Sequence, residues 1–262
     1  MDMKHSLALI LVVLLSGCSL FGNKEDASNL SASKLFTDAM GDMDDKNYEQ
    51  AIKKFETLEA RYPYGRYAEQ AQLEVAYAYY KQEDAASATA ACDRFIKLHP
   101  THPNVDYAYY MKGLANFNEN LGFIAKLGGQ DMTERDPKQA RQSYDTFKEL
   151  VTHFPNSKYA EDAAARARFL LNGLANYEVQ VARYYMKRKA YVAAVNRAQY
   201  ILQNYQQTPA MEEALLIMVK AYDAMGVMDL RDDAERVMKH NFPDSKYLSG
   251  AVDGGKPWWK LW

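Results

Sequence analysis

The sequence predicts an all-α protein, a right-handed α-solenoid of ten helices arranged in five pairs. Three observations carry that expectation. Glycine (13) and proline (8) are scarce for a chain of 262 residues, a composition that favours helices over a turn-rich β protein. A six-residue corner recurs: Tyr-Pro-Tyr-Gly-Arg-Tyr at 62–67, Phe-Pro-Asn-Ser-Lys-Tyr at 154–159 and Phe-Pro-Asp-Ser-Lys-Tyr at 242–247. Small residues keep a fixed distance from these corners. Counting from Pro63, Pro100, Pro155, Gln206 and Pro243, an alanine follows eight residues later every time, at 71, 108, 163, 214 and 251.

The elements follow in chain order. Lys4 and His5 precede an apolar run, 7–15, that is too short to span a bilayer and has the length of a signal-peptide core. The next four residues, Leu-Ser-Gly-Cys at 15–18, resemble the bacterial lipobox. That resemblance implies cleavage before Cys18 and acylation of its sulfur and new amine; an ordinary signal peptide followed by a chance cysteine is the other reading. Residues 1–17 are therefore expected to be a lipoprotein signal, and 18–32, polar and small, a lipidated flexible tether. At ~0.8 kcal/mol per buried methylene, several acyl chains make such an anchor effectively permanent. Ser19, in the position where a sorting aspartate would stand, points to the outer membrane, facing the periplasm. With Cys18 lipidated, Cys92 has no cysteine to pair with and reads as a small buried hydrophobe.

The helices are expected at 33–43, 47–61, 65–81, 84–98, 104–118, 137–153, 157–187, 190–204, 209–225 and 228–241. Each segment before a corner carries apolar residues at helical spacing, as in Tyr48, Ala51, Ile52, Phe55 and Leu58. Proline then stops the helix, lacking the N–H and clashing with the preceding turn. Ser157 and Thr208 are placed to cap the helices that follow. An Ala–Phe–Pro pattern at spacings of four and eight resembles the tetratricopeptide repeat. The corners lie 37, 55, 51 and 37 residues apart, so two insertions interrupt the stack. One is an inserted loop, 119–136, and the other lengthens the helix after Pro155. The N-terminal repeats then span 33–118, the C-terminal repeats 137–248, and a tryptophan-rich tail 249–262.

Several blocks are more specific than the repeat. Arg-Tyr-Pro-Tyr-Gly-Arg-Tyr-Ala-Glu-Gln-Ala-Gln-Leu-Glu at 61–74, Ala-Tyr-Tyr-Lys at 78–81, the block 93–107 with its His-Pro-Thr-His-Pro-Asn, Glu-Arg-Asp-Pro-Lys-Gln-Ala at 134–140 and Ala-Ala-Val-Asn-Arg at 193–197 resemble the BamD family. These are the tetratricopeptide lipoproteins of the outer-membrane β-barrel assembly machinery. The resemblance runs from the lipobox to about residue 247; the last dozen residues depart from the common pattern. It implies a periplasmic scaffold without catalytic activity. Its partners would be BamA, through the membrane-proximal POTRA domain, the small lipoproteins of the same complex, and the C-terminal segments of unfolded β-barrel precursors. It would sit on the inner leaflet of the outer membrane through its lipid. A tetratricopeptide lipoprotein scaffolding peptidoglycan or pilus assembly is the alternative.

Solenoids bind along one face, and tyrosine and arginine are favoured at binding hot spots. Tyr62, Tyr64, Arg66, Tyr67, Tyr80, Arg94, Tyr107 and Tyr110 are therefore candidates for a peptide groove, with part of the tyrosines packing between helices instead. Arg188 and Arg197 are candidates for a cationic edge meeting BamA, or for solvated or internally paired arginines. Phe123, Asp131, Glu134 and Arg135 make the inserted loop a candidate partner contact, since loops this long are commonly functional. Trp258, Trp259 and Trp262, beside two lysines, have the composition of a membrane-surface anchor or a partner plug. A net charge of −2 argues against a nucleic-acid binder. No metalloprotease, phosphate-loop or nucleophile-elbow motif is present, so no enzyme, cofactor or metal is expected. His99 and His102, with Asp106, are the nearest approach to a metal set, and His99 also occupies the aromatic slot of a corner.

Overall fold

The computed structural model describes residues 30–126 and 137–248, without the side chains of 118–126. The described residues form ten helices and no strand: α1 (Ala32–Asp44), α2 (Tyr48–Arg61), α3 (Arg66–Lys81), α4 (Ala85–Leu98), α5 (Val105–Lys126), α6 (Lys138–His153), α7 (Ala160–Lys187), α8 (Tyr191–Asn204), α9 (Ala210–Met225) and α10 (Met228–Asn241). Each packs on the next, and the odd-numbered helices also pack on one another: α1 on α3, α3 on α5, α5 on α7 and α7 on α9. The result is a two-layer α-solenoid in which odd helices form a continuous inner layer and even helices flank it.

The repeated corners share one backbone shape at the aromatic residue, and two of them then pass through a positive φ, at Gly65 (103°) and Gln207 (71°). Tyr62, His99, Phe154, Tyr205 and Phe242 all lie at φ between −134° and −125° and ψ between 42° and 65°. In each, the N–H donates to the carbonyl four residues back, ending the even helix before the chain turns. The turns within pairs are equally uniform. Lys46, Glu83, Lys189 and Gly226 each take the left-handed conformation at φ 60° to 73°, closing the helix end with paired backbone bonds. Glycine is present at only one of the four, so this turn leaves little mark in the sequence.

Four of the five alanines placed by the corner count lie in the core, and the fifth, Ala251, is outside the described residues. Ala71, Ala108, Ala163 and Ala214 are fully buried, as are Phe55, Cys92, Phe147 and Ala198 on the facing even helices. Gly113 serves the same end: a Cβ there would stand 2.7 Å from Cδ1 of Phe147. The Ser143 hydroxyl donates to the Gly113 carbonyl at 2.9 Å, joining α5 to α6 at the same point. In α10 the positions equivalent to Phe55 and Ala51 are Glu235 and Arg231, and Arg231 pairs with Asp223 and Asp232. Two positions that are apolar or small in α2 therefore carry charge in α10.

Three expectations are corrected. The segment 119–136 is not a loop throughout, because α5 continues to Lys126. Gly122 costs a helix only about 1 kcal/mol and no proline intervenes, so nothing local stops it. Ser157 does not cap α7, which begins at Ala160; its hydroxyl accepts from the Tyr159 N–H within the corner and donates to Asp106. Thr208 likewise does not cap α9, since its hydroxyl donates to the Tyr205 carbonyl.

Candidate partner-binding surfaces

On α3, Ala68, Ala71, Val75 and Ala78 face α1 and α2, while Leu73 and Ala76 face α4 and α5. The stripe left over is Tyr67, Gln70, Glu74 and Tyr77, at +4, +7, +11 and +14 from the corner proline. The same offsets give Asn104, Tyr107, Met111 and Leu114 around α5, of which Met111 is buried against Ala76 and Cys92, and Tyr159, Asp162, Arg166 and Phe169 at the corner and along α7. These side chains meet in space. Tyr107 lies 5.6 Å from Tyr159 between ring centroids, Tyr159 stacks on Tyr110 at 4.6 Å, and Phe117 lies 6.0 Å from Phe169. The Tyr110 hydroxyl donates to Asp162 at 2.7 Å, Arg166 donates to the same carboxylate at 2.5 Å, and its guanidinium lies 4.8 Å from the Phe117 ring centre. An inner face of this kind offers flat aromatic area with a few fixed charges.

The candidates from the sequence divide around this face. Tyr67 and Tyr107 lie in the stripe, and Tyr110 joins it through Tyr159. Tyr67 also packs on Phe36 at 5.5 Å, and hydrogen bonds with Ser33 and Arg66 hold its phenol below the usual pKa. The Arg66 guanidinium sits 4.9 Å from the Tyr67 ring centre. Tyr80 packs inward beside Tyr77 and the Cys92–Met111 cluster. Tyr62 and Tyr64 stand at the first corner, where Tyr62 donates to the Leu30 carbonyl and Tyr64 is 92% exposed. The structure does not bring Arg94 to this face: it lies on outer helix α4 and pairs with Glu59 of α2 at 2.9 Å. Glu74, Tyr159, Asp162, Arg166 and Phe169 were missed, although the corner count that found the core alanines also gives their offsets.

At the other end, Arg197 donates to Glu178 at 3.1 Å, and that carboxylate is only 5% exposed. The internally paired reading of Arg197 is therefore the one the structure supports. Arg188 lies over Tyr184, 4.8 Å from the ring centre. Beside it is an open depression lined by Lys189, Tyr191, Val192, Asn196 and Met225. Val192 is 64% exposed there, and Val227, Met228 and Leu230, just after Met225, are exposed as well. This is an apolar patch with a basic rim.

Cys92 is buried, and burial pushes its thiol up to about 12. His99 packs against Phe95 at 5.1 Å, as its place in the corner requires, and His102 accepts from the Asn104 N–H. Among the described residues no group of three His, Cys, Asp or Glu could hold a metal ion, and no helix is long and apolar enough to cross a membrane. Cys18, Asp131, Glu134, Arg135, Trp258, Trp259 and Trp262 lie outside the described residues, as does the side chain of Phe123.

The family model described as YfiO, outer membrane lipoprotein, matches residues 28–238. The outer membrane protein assembly factor BamD of Neisseria meningitidis serogroup A is 46% identical, over 99% of both chains. The protein of that name from Xylella fastidiosa is 38% identical over 94% of this chain and 85% of its own. That of Vibrio cholerae is 36% identical over 89% and 96%.

Proposed function

Because the chain belongs to the BamD family of outer membrane lipoproteins, we propose that it is a non-enzymatic scaffold of outer-membrane protein assembly, anchored by lipid on Cys18 and facing the periplasm. The C-terminal half docks BamA and holds the small lipoproteins of the complex; the inner face of the N-terminal repeats receives segments of unfolded β-barrel precursors. The observation that carries this reading is the pairing of two uncovered surfaces on one α-solenoid. One is the aromatic stripe along α3, α5 and α7. The other is the apolar patch around Val192 and Met225, with Lys189 in its lining and Arg188 next to it in the chain.

The two surfaces suit different partners. The stripe is long, aromatic and charge-studded, which matches an extended chain. The patch is compact and apolar with a cationic edge, which matches a folded domain carrying acidic residues. Anchoring holds both at the membrane, so that a bound precursor meets the barrel subunit without leaving the surface.

Purification of the detergent-solubilised full-length protein from its own membranes tests the docking assignment. BamA is expected to co-purify with the wild type and to be lost from Val192→Glu. Full recovery of BamA with Val192→Glu, in a variant whose helical circular dichroism is unchanged, would refute the assignment to this patch.

A further inference from the structure

Among the described residues Glu74 differs from other carboxylates drawn out of water. Glu59 meets Arg94, Glu178 meets Arg197, and Glu213 meets Arg183. Glu74 has no hydrogen bond or ion pair among the described residues, and burial pushes its pKa up with nothing opposing. A carboxylate half out of water without a partner is a standing cost to the fold.

Its surroundings define what would satisfy it. Tyr77 follows three residues on, at the next position of the same stripe. Tyr107, from α5, packs with Tyr77 against the same Ala76–Cys92–Met111 cluster, and the Glu74 charge adds to the effect of burial in raising its phenol pKa. Tyr80 and Tyr159 continue the aromatic wall to either side, 6.4 Å from Tyr77 and 5.6 Å from Tyr107. A carboxylate on the same helix face as a tyrosine ring, with a second ring from the next inner helix nearby, can attract a cation by charge and by the ring faces. Nothing in the stripe of α3 supplies that cation, since its other members are Tyr67, Gln70 and Tyr77.

We propose that Glu74, Tyr77 and Tyr107 form a subsite for a lysine or arginine side chain of an extended partner peptide lying along the inner face. This rests on the reading of that face as a peptide-binding surface and adds to it a chemical requirement: a cationic residue among the aromatic ones.

Fluorescence anisotropy with two labelled octapeptides tests it, using the full-length protein in detergent. The probes are Ala-Tyr-Ala-Lys-Ala-Phe-Ala-Phe and the same peptide with norleucine for lysine. The lysine probe is expected to bind about 10-fold tighter, and Glu74→Gln is expected to erase that ratio while leaving the norleucine probe's affinity unchanged. Asp162→Asn, which alters a carboxylate already paired with Arg166, is expected to preserve the ratio. Equal binding of the two probes, or a ratio that survives Glu74→Gln, would overturn the subsite and leave the peptide face standing. Binding of neither probe would overturn both.

Discussion

Replacing Gly113 with alanine tests the packing logic at its tightest point. The new Cβ would lie 2.7 and 2.8 Å from Cδ1 and Cζ of Phe147, and nearer still to Cε1, where ordinary contacts are 3.4–4 Å. The ring cannot retreat. Phe147 is fully buried and is flanked by Tyr110 and Phe117, each 6.2 Å away between centroids. Overpacking a rigid core costs up to about 3 kcal/mol. Alanine returns about 1 kcal/mol of helix propensity, which leaves a net loss of roughly 2 kcal/mol. For a fold of this size that lowers Tm by about 4–8 °C, measured by circular dichroism on a soluble form starting at residue 28. The cause is separable from a general defect. With Phe147→Leu in place the clash is relieved and only the helix-propensity gain remains, so Gly113→Ala should then stabilise by about 1 kcal/mol, a coupling of about 3 kcal/mol between the two sites. Additive losses, or a Gly113→Ala protein as stable as wild type, would refute the argument that α5 and α6 approach through this glycine.

Glu74→Gln should stabilise the unliganded protein at pH 7.5, measured as a higher Tm. The sign follows from the raised pKa. The folded chain binds this proton more tightly than the unfolded chain, so ionised Glu74 weakens the fold at neutral pH and ceases to do so as pH falls through its folded pKa. The advantage of Glu74→Gln should accordingly narrow toward pH 5; a gap that is absent at pH 7.5 or constant with pH would contradict it. Cys92, its thiol pushed up to about 12 by burial, carries roughly one thiolate in ten thousand at pH 8. In a Cys18→Ser form, iodoacetamide should therefore leave Cys92 untouched in the native state and label it fully in 6 M guanidinium chloride. Labelling at equal rates in both would show that the α4 core is open.

What the sequence makes legible is what the chain decides locally. An aromatic–proline step ends a helix by its own sterics, so four of the five corners could be counted before any contact was known, and the fifth, where Gln206 stands for the proline, follows from the alanine spacing around it. The fully buried alanines follow, because a corner that repeats in shape must place the next helix at the same distance each time. Local logic also marks where the reading failed. Gly122 and its neighbours look like a loop, yet a helix already under way crosses a single glycine at about 1 kcal/mol. Three of the four left-handed turns within helix pairs carry Lys or Glu, not glycine, and so escape a search for glycine.

Charges follow a different rule. Whether an ionisable side chain is satisfied depends on partners far along the chain: Arg94 reaches Glu59 and Arg197 reaches Glu178, pairs 35 and 19 residues apart. From sequence, Arg94 looks available for a ligand carboxylate and Glu74 looks like one more solvated glutamate. The fold reverses them, consuming the arginine on the outer layer and leaving the glutamate unpaired among tyrosines on the inner one. A repeat protein makes such a reversal easy, because its core is fixed by small residues at a few offsets and the stripe between them is free to vary. Selection on that stripe leaves the stacking intact, so a carboxylate that weakens the fold persists there when a bound partner supplies the missing cation.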